Sequence, residues 1–309
     1  MALPISPIGL GLLAAIGASA AFVHFRGRVR HRFSRQLFDH STLFAPFNIP
    51  LYLFSKVPGR PFHDPRAFPE LDLLRDNWRV IREEGLTLVD GGDVGAATAR
   101  AAADYNDAGF NSFFRTGWER FYLKWYDEPL PSAAALCPKT VALLAQVPTV
   151  HGAMFALLPP GGRLGGHRDP FAGSLRYHLG LRTADSPDCY ILVDGERYYW
   201  RDGEDVVFDE TFIHTAENKT DVKRLILFCD VERPVYTPLI RAYNRLCRGV
   251  MKASATQNVP GEYVGGVNKV FAYAFRANLL TRRLKAWNRK VYYTLKYAVF
   301  AGVVLLIVL

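Results

Sequence analysis

The chain has little cysteine, and its few thiols are far apart. Neither a CxxC pair nor a regular spacing connects the four, which are Cys137, Cys189, Cys229 and Cys247 in a chain of 309 residues. Closely spaced cysteines are typical of zinc sites and of the disulfide frameworks of small secreted domains. The sequence therefore excludes both classes and predicts reduced, mostly buried thiols. A chain of this length can bury a large core without disulfides or structural metal ions.

Charge is missing from the beginning of the chain. Residues 1–25 contain no Lys, Arg, Asp or Glu, and five arginines follow between Arg26 and Arg35. A bilayer span needs about 20 apolar residues, so this run is long enough. A cleaved signal peptide is the alternative, but its positive charge would precede the apolar run. The pattern predicts a retained transmembrane anchor over residues 1–25.

The end of the chain mirrors its beginning. Basic residues such as Arg289 and Lys290 precede an apolar run that closes on "VVLLIVL", with Lys296 as its one internal charge. Lys296 can extend toward the lipid headgroups. A C-terminal core helix is the alternative, although the run is apolar on every side. We predict a second anchor over residues 291–309, which by the positive-inside rule places residues 26–290 on the cytoplasmic side.

No stretch of the chain interleaves basic and aromatic residues in the manner of a base-stacking platform, although the net charge is +9. Nucleic acid is therefore the weaker explanation of the basic excess. The basic clusters lie beside the two predicted anchors, where anionic lipid attracts each such residue by about 1 kcal/mol. We predict an anionic phospholipid surface as a partner and no nucleic acid.

Internal repeats and low-complexity linkers are also absent, which indicates one central domain. We predict a basic juxtamembrane and Pro-rich connector over residues 26–66, irregular from residue 41, and a central domain over residues 67–235. An amphipathic helical segment near the membrane follows over residues 236–290. Helical spacing of apolar residues marks the first part of the central domain.

Short β-branched and aromatic runs fill the chain from Ala153 to Pro234, divided by Gly, Asp, Asn and Pro. The pair Asp194–Gly195 between two of these runs is a strong signal for a tight hairpin. Several short strands in succession predict an antiparallel sandwich or barrel.

Titratable side chains are concentrated in "GGHRDPFAGSLRYHLG", residues 165–180. In an extended chain His167 and Asp169 share a face, and His214 follows 47 positions after His167. Two imidazoles and one carboxylate form the facial triad of non-haem Fe(II) oxygenases. A structural alternative is that His167 and Asp169 form an Asx-type turn and that His214 is an unrelated core histidine. A catalytic alternative is a zinc hydrolase with the same three ligands.

An arginine lies in the otherwise apolar run "RLILFCDV", ten residues after His214. The distal carboxylate of a keto-acid cosubstrate inside a barrel would need a buried cation, and an arginine offers two parallel hydrogen bonds. Arg224 is therefore a candidate for this role. The alternative is that Arg224 ends an edge strand at the surface.

The runs "AMFALLPPGGRLGGHRDPFAGSLRYHLGL" and "DGERYYWRDGEDVVFDETFIHTAENKTDVKRLILFCDVERP" resemble the aspartyl/asparaginyl β-hydroxylase family. The likeness covers roughly residues 65–235. It is greatest to the membrane-bound branch of that family, the lipid A 2-hydroxylases of Gram-negative bacteria. The two predicted anchors agree with that branch.

The resemblance implies a mainly β fold, a double-stranded β-helix (jelly roll) with flanking helices and, in this chain, a transmembrane helix at each end. It implies Fe(II), with 2-oxoglutarate and O2 as cosubstrates and succinate and CO2 as products. The residues that match the motif of the iron ligands are His167, Asp169 and His214. Those that match cosubstrate-binding positions are Arg224, for the distal carboxylate, and Arg176 and His178.

Two departures from the peptide-modifying branch affect the substrate. That branch lacks the metal-binding Asp that Asp169 supplies here, and it has a serine at the cosubstrate where this chain has Ala156. The implied reaction is hydroxylation at C-2 of a secondary acyl chain of lipid A or its precursor, at the inner membrane and facing the cytoplasm. Alternatives are an ornithine lipid, Asp or Asn of a protein, and a membrane-tethered binding protein without catalysis.

Overall fold

A computed structural model describes residues 6–105, 107–110, 114–126 and 128–308. The outermost parts of the two predicted anchors, residues 1–5 and residue 309, lie outside the described residues. The helices are α1 (Pro7–Phe25), α2 (Phe33–Gln36), α3 (His40–Leu53), α4 (Asp72–Asp76), α5 (Trp78–Asp90), α6 (Asp93–Asp104), α7 (Pro131–Leu136), α8 (Pro138–Ala145), α9 (Pro238–Lys252), α10 (Gly266–Trp287) and α11 (Arg289–Val308). The strands are β1 (Phe62–His63), β2 (Glu119–Trp125), β3 (Glu128–Pro129), β4 (Val150–Leu158), β5 (Arg163–His167), β6 (Ser174–Arg182), β7 (Cys189–Val193), β8 (Glu196–Tyr199), β9 (Asp205–Phe208), β10 (His214–Asn218) and β11 (Arg224–Glu232).

The strands form two antiparallel sheets. The larger has the order β1-β9-β6-β11-β4-β2-β3 and the smaller the order β5-β10-β7-β8. From β4 to β11 the chain crosses repeatedly between the two sheets. These eight strands form two Greek keys, which is the jelly-roll topology. The mainly β jelly-roll prediction is confirmed for the segment that runs from β4 to β11, and helices precede and follow it.

The strand β11 shows why the larger sheet separates two cores. Leu225, Leu227 and Cys229 point to one face and pack with buried side chains of the helices α5 and α8. Ile226 points to the other face, into the space between the sheets. Alternate residues of a strand share a face, and Arg224 is two positions before Ile226. Arg224 therefore also points into the jelly roll.

The predicted hairpin is confirmed in its backbone geometry. Asp194 and Gly195, between β7 and β8, have φ angles of 51° and 86°. Two successive positive φ values make the tight turn that suits the twist of a hairpin, and Gly accepts them without strain. The predicted strands are also present, and helices occur in the first part of the central domain and after residue 236, as the apolar spacing predicts.

The irregular conformation expected from residue 41 is wrong for residues His40–Leu53, which form the helix α3. Its two internal prolines, Pro46 and Pro50, are four positions apart, so the backbone hydrogen bonds that they remove lie on one side of the helix. The Asp39 side chain accepts a hydrogen bond from the Ser41 amide and caps the first turn. The helix also packs against α1, which supplies the stabilisation that its sequence lacks.

Within the described residues, one helix has the length and composition of a membrane span, and it is α1 (Pro7–Phe25). Such a helix near the beginning of a chain is also typical of signal sequences. The helix α11 is present and packs against α1, and residue 309 at the end of its apolar run lies outside the described residues. A second transmembrane anchor over residues 291–309 therefore stays a prediction.

Candidate metal and cosubstrate site

Two neighbouring strands of the smaller sheet bring the predicted iron ligands together. His167 ends β5, His214 begins β10, and the two are direct cross-strand partners. Asp169 lies in the turn after β5, where its backbone amide donates to the Glu210 carbonyl at 2.9 Å. One nitrogen or oxygen of each of the three side chains lies within 4.8 Å of the other two.

Both imidazoles are oriented by backbone carbonyls. The Nδ1 atom of His167 is 2.9 Å from the Gly165 oxygen, and that of His214 is 3.1 Å from the Phe212 oxygen. Because a carbonyl can only accept, each Nδ1 carries the proton, and each Nε2 is left as a lone-pair donor. The Nε2 atoms lie 3.4 Å and 4.0 Å from one Asp169 oxygen, Oδ1.

The protonation states of these groups suit metal binding. Burial opposes ionisation of Asp169, but the neighbouring His167 and the Arg176 guanidinium outweigh it and hold the pKa of that carboxyl below its usual range. Burial, followed by the neighbouring His167, lowers the pKa of His214 to about 3. A carboxylate and a neutral imidazole are the forms that coordinate a metal.

Behind the cluster, Arg176 directs its donors at three carboxylates. Its Nη2 atom donates to Asp169 Oδ2 at 2.6 Å, its Nε atom donates to Glu210, and its Nη1 atom is 3.3 Å from Asp230. Asp169 thus has one oxygen fixed by Arg176 and the other facing the imidazoles. The geometry gives Arg176 a positioning role toward Asp169. Its contact with a cosubstrate, implied by the resemblance, stays a prediction.

Arg224 has the opposite surroundings. Its side chain is fully buried, yet its Nε, Nη1 and Nη2 atoms have no hydrogen-bond partner among the described residues. The guanidinium lies 4.2 Å from the ring centroid of Trp200 and 4.8 Å from that of Trp118. Burial lowers the pKa of Arg224 to about 10, which leaves it charged at neutral pH. The alternative that Arg224 lies at the surface of an edge strand is wrong.

His178 supplies a second unpartnered donor near Arg224. Its Nδ1 atom accepts a hydrogen bond from Trp200 Nε1 at 3.3 Å, so the proton of the neutral ring lies on Nε2. That Nε2 atom is buried without a hydrogen-bond partner in the described part of the chain. Burial, followed by the charge of Arg224, holds the pKa of His178 well below its usual range. His178 is therefore a neutral donor beside a buried cation.

These residues fit both groups that the resemblance implies. Ligands on one face of an octahedron around a first-row metal are on the order of 3 Å apart, and the distances to Asp169 Oδ1 are 3.4 Å and 4.0 Å. Two imidazoles and one carboxylate are the donor set of non-haem Fe(II) oxygenases. Arg224 and His178 have donors without hydrogen-bond partners in the described chain. One carboxylate of a dicarboxylate such as 2-oxoglutarate could accept hydrogen bonds from both side chains.

Two buried acidic residues lie shortly before His214 in the chain. Asp209 is fully buried and binds Arg233 at 2.9 Å and Arg26 at 2.5 Å, so it is not part of a solvated turn. Glu210 is also buried and accepts from the Ser174 hydroxyl at 2.8 Å as well as from Arg176. The arginines that pair with these two carboxyl groups lie in distant parts of the sequence, so the ion pairs have no local signal.

A set of contacts around the loop after β5 has no sequence signal at all. Residues 26–54, which we call the collar, bind this loop at alternate residues. Arg35 donates to the Gly166 carbonyl at 2.7 Å, and His40 Nε2 lies 2.7 Å from the Arg168 carbonyl oxygen. Asn48 donates to the Pro170 carbonyl at 2.8 Å and accepts from the Ala172 amide at 3.0 Å. The collar thus holds the backbone on both sides of Asp169.

Comparison with known proteins bears on this site. A profile of the Aspartyl/Asparaginyl beta-hydroxylase family matches residues 75–234, about half of the chain, which confirms the family resemblance. An ornithine lipid ester-linked acyl 2-hydroxylase of Rhizobium tropici is 36% identical over 193 residues, which are 60% of this chain and 65% of that protein. The human aspartyl/asparaginyl beta-hydroxylase is 27% identical over 196 residues, which are 61% of this chain and 24% of that protein.

This chain therefore spans less than two thirds of the length of either relative. Among solved structures, a prolyl-4-hydroxylase of Pseudomonas putida superimposes with a TM-score of 0.33 at 19% identity, covering 52% of this chain and 88% of that one.

Proposed function

The chain belongs to the aspartyl/asparaginyl β-hydroxylase family, and from this premise we propose that it is an Fe(II)- and 2-oxoglutarate-dependent dioxygenase acting on a membrane lipid. The observation that carries the proposal is the buried Arg224 guanidinium without a hydrogen-bond partner in the described chain, on the jelly roll that holds His167, Asp169 and His214 together. A buried cation without a partner is costly, and a carboxylate ligand would remove that cost.

In this proposal the metal ligands are His167, Asp169 and His214. A ferrous ion bound there would supply the activation of O2 in which one oxygen atom enters a substrate C–H bond as hydroxyl and the other enters succinate as 2-oxoglutarate loses CO2. Arg224 and the Nε2 proton of His178 hold the distal carboxylate of 2-oxoglutarate. These donors are already in place and buried, so they lose little free energy on binding.

The chain also prepares its own ligands. The Gly165 and Phe212 carbonyls keep both imidazoles in the tautomer that presents Nε2. Arg176 holds one oxygen of Asp169, which leaves the other directed at the two Nε2 atoms. Outer contacts of this kind set the orientation and the basicity of metal ligands.

The substrate that we propose is a fatty acyl chain hydroxylated at C-2, as a secondary acyl chain of lipid A or its precursor. The ornithine lipid alternative is supported by the name of the Rhizobium tropici relative, which acts on an ester-linked acyl chain of that lipid. Asp or Asn of a protein is the third possibility, after the name of the human relative.

The setting that we propose is the inner membrane, with the catalytic domain on the cytoplasmic side. The helix α1, with its apolar composition, supports the anchor over residues 1–25. A second anchor over residues 291–309, the segment 236–290 near an anionic phospholipid surface, and the central domain over residues 67–235 complete this arrangement. Tethering would keep the site close to an acyl chain that is too insoluble to diffuse through water.

The test is in vitro turnover by the full-length protein. Purified protein with Fe(II), 2-oxoglutarate and O2 would be offered ornithine lipid, lipid A or an Asp- and Asn-containing peptide, and the products would be fragmented by mass spectrometry. We expect one added oxygen atom at C-2 of a lipid acyl chain and one succinate per oxygen added. Oxygen in the peptide alone would overturn the lipid assignment. No oxygen in any of them, without succinate, would overturn the enzymatic one.

A further inference from the structure

The helix α3 has two faces with different neighbours. Its buried face consists of Ser41, Ala45, Asn48 and Leu51, and Asn48 on this face binds the backbone of the loop that carries Asp169. Its other face exposes Leu43, Phe47 and Leu53, which are 70%, 56% and 67% exposed. Large apolar side chains in a row at this exposure indicate an interaction surface.

The sequence of α3 narrows the choice of partner. Residues 41–55 contain no charged side chain, whereas Asp39 and Lys56 lie just outside this range. The outer face of α3 is apolar, and a helix face of this kind is normally covered by another apolar surface. At 14 residues α3 is about 21 Å long, which is too short to span a bilayer and typical of interfacial or re-entrant segments.

The neighbours of α3 indicate what covers it. It packs alongside α1, and the rings of Phe22 on α1 and Tyr52 on α3 are 5.8 Å apart. The helix α1 also exposes large apolar side chains, among them Ile8 and Phe25. An apolar environment that covers the exposed side chains of α1 would therefore also cover α3, which lies beside it.

A third helix next to α3 has the composition of a membrane surface helix. On α9, Tyr243 donates its hydroxyl proton to the Phe47 carbonyl at 2.8 Å. The same helix exposes Leu239 and Leu246 together with the arginines Arg241 and Arg245. Apolar side chains beside basic ones on one exposed helix are typical of binding to anionic headgroups.

From these observations we infer that the outer face of α3, formed by Leu43, Phe47 and Leu53, lies in the acyl layer of a lipid bilayer. The inference rests on the proposed membrane setting and deepens it. Because Asn48 on the inner face of the same helix holds the loop of Asp169, insertion of α3 would fix the metal site directly at the bilayer surface. The lipid whose acyl chain is to be hydroxylated would then reach the site without leaving the membrane.

The test measures depth and needs no turnover. In a parent variant Cys247→Ala, which leaves three buried cysteines, a spin label would be attached at Leu43→Cys or, separately, at Phe47→Cys. The full-length protein would be reconstituted in vesicles of phosphatidylcholine and phosphatidylglycerol. Accessibility to O2, which concentrates in the acyl layer, would be compared with accessibility to a water-soluble nickel chelate. The matched control is Leu136→Cys, an exposed leucine at the end of α7.

We expect labels at 43 and 47 to be more accessible to O2 than to the nickel chelate, and the label at 136 to show the reverse. Equal access of the chelate to positions 47 and 136 would overturn the inference. Protection at 43 and 47 from both reagents, with spin–spin broadening, would overturn it in favour of a second copy of the chain. Lipid hydroxylation is measured separately, so failure of the proposed activity would leave the depth result standing.

Discussion

Two buried arginines on neighbouring strands of the larger sheet have opposite surroundings. Arg176 on β6 and Arg224 on β11 both point into the jelly roll, and the two strands pair side by side. Arg176 contacts Asp169, Glu210 and Asp230. Arg224 contacts the faces of two tryptophans and has no hydrogen-bond partner among the described residues.

The difference separates positioning from binding. A buried charge needs compensation, and Arg176 finds it within the fold, so its role is to hold the chain's own carboxylates in place. The fold leaves Arg224 with hydrogen-bonding capacity that a ligand can use. Burial alone does not identify a binding residue; burial together with unused donors does.

The largest effect that we expect is on stability, from Arg176→Met. Removing one partner of a buried ion pair costs about 3–5 kcal/mol, because the remaining carboxylates stay buried without their cation. The free energy of unfolding would be measured by urea titration. Arg176→Lys, which keeps the charge, is the matched control and should recover part of the loss. A loss below about 1 kcal/mol would show that the paired region is not held by this arginine.

Arg224→Met should give the reverse pattern. Loss of a charged hydrogen-bond partner would raise the 2-oxoglutarate requirement roughly 10²-fold. The free energy of unfolding should not fall, because the substitution removes a buried charge that has no partner in the described chain. The measurements are the KM for 2-oxoglutarate and a urea titration, with Arg224→Lys as the conservative control. An unchanged KM would contradict the binding role.

A smaller effect concerns pH, through the paired carboxyl of Asp209. Burial opposes its ionisation, but Arg233 and Arg26 outweigh it and hold the pKa of Asp209 below its usual range. The folded state therefore binds fewer protons than the unfolded state as the pH falls below about 4, where a free Asp takes up a proton. This contribution to stability is complete above that pH and is lost below it. The free energy of unfolding should fall less steeply from pH 6 to pH 3 in Asp209→Asn than in the unmodified chain. Equal slopes would contradict the pairing of Asp209 with Arg233 and Arg26 as a source of stability.

The smallest effect should come from an exposed arginine with acidic neighbours. Arg201 donates to Glu204 at 2.8 Å and lies 3.3 Å from Asp185, but the group is open to solvent. Exposed ion pairs contribute little, because water and salt screen them. Arg201→Gln should leave the urea midpoint and the KM for 2-oxoglutarate unchanged. A measurable change in either quantity would show that breaking an exposed ion pair has an effect even though the pair is not buried.

The sequence was sufficient to predict β4 and the strands from β6 to β11. Their short β-branched runs and the Asp194–Gly195 turn are local signals, and the structure confirms them. The strand β5 had no such pattern, because glycine occupies two of its five positions. The helix α3 was missed because its prolines are typical of irregular chain, and its stability depends on packing against α1.

For the site, the sequence indicated which residues to examine but not what each one contacts. The pairs Asp209–Arg26 and Asn48–Pro170 join residues more than a hundred positions apart. No periodicity records such a contact, because it depends on how the whole chain folds. The contrast between Arg176 and Arg224 has the same origin: both are arginines in apolar strands, and only their distant neighbours distinguish them.

The most direct test of the central claim is an anaerobic Fe(II) titration of the purified full-length protein in the presence of 2-oxoglutarate. The claim is that His167, Asp169 and His214 hold one ferrous ion. We predict one tightly bound ion per chain, loss of that binding in His214→Ala, and its retention in His63→Phe, which replaces a buried histidine of β1 outside the cluster. Unchanged stoichiometry and affinity in His214→Ala would contradict the account.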